Sequence, residues 1–121
     1  MKPVLDHRVV DALAEELQSL PDALLFVGAF HALLCSRLTR ISEALIGGDR
    51  EEATTALLSL HTGAAMVGAT ELRETTSDAL AMVHAGTIST GPARGLVRQL
   101  TDQAHRFSTA FESMRLPTTA T

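Results

Sequence analysis

Between residues 26 and 45 the apolar side chains Phe26, Phe30, Leu34, Leu38, Ile41 and Leu45 recur at threes and fours. That spacing puts them on one face of an α-helix and is incompatible with the strict alternation of a half-buried strand. Similar stripes follow along the chain, separated by glycine and proline, so the sequence reads as helices joined by short turns. The first is expected from Asp6 to Ser19, capped by Asp6, with Val9, Val10, Leu13 and Leu17 on one face. The second is expected from Asp22, just after Pro21, to Ile46, where Gly47-Gly48 stops it and Asp49 caps the next. The third is expected from Arg50 to Met66, with Ala53, Leu57, Leu60, Ala64 and Val67 inward and a break or kink at Gly68. The fourth runs from Thr70 to Ala85, with Leu72, Ala79, Leu80 and Val83 inward. After a loop from Gly86 to Pro92, the fifth runs from Ala93 to Met114, with Leu96, Leu100, either Ala104 or His105, Phe107 and Phe111 along one side.

The expected fold class is therefore all-α. Four longer helices would pack as an antiparallel four-helix bundle, with the short first helix capping one end. Residues 1–116 form the domain in this reading and 117–121 a flexible tail. Composition agrees: 45% of residues are hydrophobic but only 3% aromatic, with no Trp or Tyr, which suits close-packed helices better than sheet.

Composition also excludes function classes. Lys2 is the only lysine, the arginines are scattered and the net charge is −4, so a nucleic-acid footprint is not expected. Cys35 is the only cysteine, which rules out an internal disulfide and fits a reducing compartment; it reads as a core residue. Charges from Asp6 onward leave no signal-peptide core. The longest apolar run, Ala23 to Cys35, is too short to span a membrane, so a cytoplasmic protein without a membrane partner is expected. The histidines show no His-x-x-x-His or Glu-x-x-His pairing, so no metal site is expected. His31 reads as a partly buried boundary residue, and His84 and His105 lie on different helices. Glu71, Arg73 and Glu74 read as a solvated face, and nothing places Arg50 or Arg73 beside His61. No nucleophile elbow, phosphate loop or acid–base pair is visible, so neither a cofactor nor enzymatic turnover is expected.

Several segments, in order, resemble a known family. The stretch Leu20-Pro21-Asp22-Ala23-Leu24-Leu25 to Phe30, then Arg37-Leu38 through Ile41, Ala44-Leu45 and Gly48-Asp49, is similar to the opening helices of histidine-containing phosphotransfer (HPt) domains. The family's HxLKGxxxxxGA signature falls, without gaps, on Leu58-Ser59-Leu60-His61-Thr62-Gly63 through Gly68-Ala69. The resemblance implies a helical module of a two-component phosphorelay. It also implies that Leu58 stands where the phosphorylated histidine would be, and that His61 and Thr62 replace the motif's Lys and Gly. Leucine has no atom that can accept a phosphoryl group. The expected function is thus a pseudo-phosphotransfer domain that docks a response-regulator receiver domain or a sensor histidine kinase.

Helix geometry gives the surface independently. At about 100° per residue, Leu58 lies roughly 140° from the core stripe of the third helix, with Ala65 on the same side and His61 on the flank. An exposed docking patch of Leu58, Ser59, His61, Thr62, Ala65 and Ala69 is expected. Two alternatives remain open. His61 could act as an out-of-register phosphoacceptor, or the bundle could be a self-associating scaffold such as a homodimer, with no signalling partner.

Overall fold

A computed structural model describes residues 4–86 and 90–115. It contains five helices and, among the described residues, no strand: α1 (His7–Leu17), α2 (Leu20–Ile46), α3 (Arg50–Val67), α4 (Thr70–Ala85) and α5 (Thr90–Arg115). The expected tail, 117–121, and the residues before Val4 lie outside the described residues, as does the middle of the expected 86–92 loop.

The helix ends follow from local chemistry. Asp6 caps α1 by accepting from the Arg8 amide, and the hydrogen bond from the Arg8 side chain holds its carboxyl below the ordinary carboxylate range. Ser19 caps α2 by accepting from the Asp22 amide. Helix α2 begins earlier than the sequence suggests because Pro21, lacking an N–H, is tolerated in its first turn. Helix α5 likewise starts ahead of Pro92. Asp49 caps α3 by accepting from the Glu52 amide. Gly68 and Gly86 end α3 and α4 in the left-handed conformation, so the break expected at Gly68 is a C-cap.

Helix α3 packs on α2 and α4, α2 also packs on α5, and α4 meets α5 more loosely; α1 lies against α2 and α3. The whole predicted stripe of α3 is fully buried, from Ala53 to Val67. On α5, Ala104 rather than His105 turns inward, with Leu96, Leu100, Phe107 and Phe111. The Phe107 ring meets Phe30 of α2 edge-on at 5.3 Å, tying α5 to α2 at the centre of the core. His31 is part-buried beside them, with Nε2 2.9 Å from Ser108 Oγ.

Two expectations need correction here. Phe26 is not core: α2 buries Ala23, Val27, Phe30 and Leu34, and this rotation carries Phe26 to the exposed flank. Cys35 is exposed rather than buried, because it follows the innermost position, Leu34, by about 100°. The uninterrupted apolar run is shorter than a membrane span, while helix α2 as a whole is long and apolar enough to cross one by length and composition alone, with Arg37, Arg40 and Glu43 in its later turns.

Candidate functional site

Leu58 is 52% exposed, whereas its neighbour Leu57 is fully buried. Both follow from the phase of α3: the capped start at Asp49 and the stripe from Ala53 to Val67 fix which side faces the core. Leu58 does not stand on a convex surface. It lines a 620 Å³ groove between α2 and α3. One wall is Phe26, Leu33 and Arg37 of α2, and the other is Leu58, Ser59, Thr62 and Met66 of α3.

The floor of the groove depends on Gly63. A Cβ built there would sit 2.8 Å from Arg37 Nη1 and 3.0 Å from the Phe30 ring, so a side chain at 63 would displace the Arg37 head and press on the Phe30 ring. Arg37 lies over the face of Phe30, 5.8 Å from the ring centroid. No carboxylate pairs with it among the described residues. The groove is thus an apolar channel with one guanidinium at its edge and hydroxyls from Ser59 and Thr62 along its rim.

The expected six-residue patch divides. Leu58, Ser59 and Thr62 share the groove, and Ala65 is exposed on the same side of α3. Ala69 does not belong to the patch. It is 1% exposed, because it stands between the Gly68 cap and the start of α4, where the chain folds back on the core. His61 turns the other way, toward α4. Its Nδ1 lies 3.1 Å from the Arg73 carbonyl and 3.2 Å from Thr76 Oγ1. A carbonyl only accepts, and the Thr76 hydroxyl donates to the Leu72 carbonyl at 2.7 Å. Nδ1 therefore donates to the Arg73 carbonyl, and Nε2 is the nitrogen turned away from α4's backbone. Around His61 is a separate cavity formed by Arg73, Glu74, Ser77 and Asp78. Arg73 is thus brought beside His61, which nothing in the sequence spacing indicated. Arg50 is not: its guanidinium donates to the His84 carbonyl at the far end of α4.

Phe26, Leu33, Arg37 and Met66 of the groove were not picked out from the sequence. Met66 could have been, since it lies about two turns beyond Leu58 on α3. The α2 residues could not, because which flank of α2 meets α3 is a property of the tertiary packing. Among the described residues no three His, Cys, Asp or Glu side chains converge on a metal-sized site. A scan against protein-family models, a search of curated proteins and a search of solved structures each return no match.

Proposed function

We propose that the chain is an HPt-like antiparallel four-helix bundle that acts as a pseudo-phosphotransfer domain. It docks a response-regulator receiver domain through the α2–α3 groove and carries no phosphoryl group at position 58. The observation that carries this reading is an exposed leucine at the position matching the family's phosphohistidine, set in an apolar groove. A docked receiver would bury Leu58, Leu33 and Met66. A leucine buried at an interface contributes about 1.5–3 kcal/mol before ordering costs, against about 8 kcal/mol for a micromolar complex. Arg37 would meet an acidic group of the partner, since no carboxylate among the described residues pairs with it.

One observation favours a second reading, phosphorylation of His61. Its Nδ1–H is pinned to α4, which leaves Nε2 as the nucleophilic nitrogen. Two others weigh against it. The ring faces α4 rather than the Leu58 groove, and its cavity sets the carboxylates of Glu74 and Asp78 against the single cation Arg73, which does not favour an added phosphoryl group.

Labelling separates the two readings. Incubation with phosphorylated receivers, or with a small phosphoramidate donor, should leave the chain without acid-labile label above background. Label that disappears in His61→Ala would replace the docking reading with the relay. Label that survives His61→Ala would defeat both.

A further inference from the structure

Helix α2 leaves a continuous apolar strip uncovered. Leu25, Phe26, Ala29, Ala32 and Leu33 are all exposed, Leu25 to 72%. At about 100° per residue they lie within roughly 60° of Ala29 on either side. The strip is bordered on one side by the α2–α3 groove. On the other is a 710 Å³ groove toward α5, lined by Leu20, Leu24, Gly28 and Phe111. Single exposed leucines are ordinary, but a contiguous apolar face of this kind marks an association surface.

We propose that this face binds a second copy of the chain, α2 against α2, antiparallel about a two-fold axis at Ala29. A two-fold interface must be complementary to its own reversal, and this strip is. Leu25 lies one turn before Ala29 and Leu33 one turn after it. In the reversed pairing, Leu25 falls over the second copy's small Ala32, and Leu33 falls beside its Phe26. Ala29 at the axis, next to Gly28, lets the two backbones approach closely.

Charge selects the same arrangement. Asp22 begins the strip and Arg37 flanks its end, and among the described residues neither side chain has an ion-pair partner. Antiparallel pairing brings each Asp22 to within about one residue's rise, 1.5 Å along the axis, of the second copy's Arg37. The two lie on the same side of the seam, and symmetry makes the contact twice. Parallel pairing would oppose Asp22 to Asp22 and Arg37 to Arg37, which is repulsive. A strip of about four turns gives an interface near the lower end of the 1,200–2,000 Å² of stable complexes, so the dimer is weak and reversible. The self-pairing does not rest on receiver docking. Phe26, Ala29, Leu33 and Arg37 serve both surfaces, so the two states compete, whereas Asp22 and Leu25 lie outside the α2–α3 groove.

Sedimentation of the full chain from about 5 µM to 1 mM tests this, with circular dichroism to confirm that each variant is folded. The parent should show a monomer–dimer equilibrium with Kd of about 10–100 µM, the range expected of a small interface. Leu25→Glu should weaken it at least ~10-fold. Asp22→Arg and Arg37→Asp should each weaken it, and the double variant should recover to within ~3-fold of the parent. A parent that stays monomeric at 1 mM overturns self-pairing. A dimer indifferent to Leu25→Glu overturns the interface, and a double variant no tighter than the singles overturns the antiparallel register. A monomer that still binds a receiver would reject this proposal alone and leave the docking reading standing.

Discussion

Leu57→Glu should unfold the domain, whereas Leu58→Glu should leave its stability nearly unchanged. The two residues are adjacent on α3 and chemically identical, but Leu57 is fully buried and Leu58 is 52% exposed. Glutamate at 57 would place a carboxylate in a core cluster built, among the described residues, of apolar side chains such as Leu60 and Ala53. Stranding a charge of this kind, added to the lost apolar burial, costs more than about 4 kcal/mol. A domain of this size has only about 5–15 kcal/mol to lose. At 58 the new carboxylate stays in water. Leucine and glutamate have similar helix propensity, so the expected change is within about 0.5 kcal/mol. Thermal melts of the two variants read the difference directly. Equal destabilisation of both would mean that α3 is rotated from the phase described here and that Leu58 cannot belong to a docking surface.

Gly68→Val should be the most damaging change outside the core. Gly68 ends α3 at φ 79°, where a side chain is disfavoured by about 1–2 kcal/mol. Space is the larger obstacle. A Cβ there would lie 2.8 Å from the Asp6 carbonyl oxygen and 3.0 Å from Val9 Cβ. The Asp6 amide also donates to the Gly68 carbonyl at 2.8 Å, so the N-terminal end of α1 is fastened to this turn. Valine would have to push α1 away, losing that hydrogen bond and part of the burial of Leu5 and Val10. A loss on the order of 3–5 kcal/mol is expected. Gly86 supplies the control. It has nearly the same backbone, φ 72°, but nothing within 4 Å of its Cβ position. Gly86→Val should therefore show the conformational cost alone, about 1–2 kcal/mol. Urea titrations of both variants would measure the difference, and equal losses would show that α1 does not bear on Gly68.

Much of this architecture could be read from the residues in order. Asp6 and Asp49 act as caps, Gly68 and Gly86 as stops, and every apolar position assigned to the core of α3 is buried. These features are local: a cap needs one side chain and one turn, and a stripe needs only the helical period. What escaped the sequence depends on neighbours. The spacing of Phe26 fits the α2 stripe as well as that of Val27 does, and only the packing of α2 between α3 and α5 decides that Val27 goes inward. The helical spacing puts His61 on a flank of α3 but does not show that this flank faces α4 rather than the Leu58 side. Ala69 lies past the end of α3, where the Gly68 cap turns the chain inward, and a helical spacing does not show that turn. The groove itself is a joint product of α2 and α3, and neither helix shows it alone.

The central claim is that Leu58 docks a receiver domain without a phosphoryl group passing to it. Titration of the labelled chain with a panel of purified receiver domains from the source organism, unphosphorylated and phosphorylated, tests this most directly when repeated with Leu58→Glu. At least one receiver should bind with a Kd of about 1–10 µM, and Leu58→Glu should weaken that complex at least ~30-fold while its melt matches the parent. Absence of binding by every receiver, or a complex that Leu58→Glu leaves intact, would contradict the account.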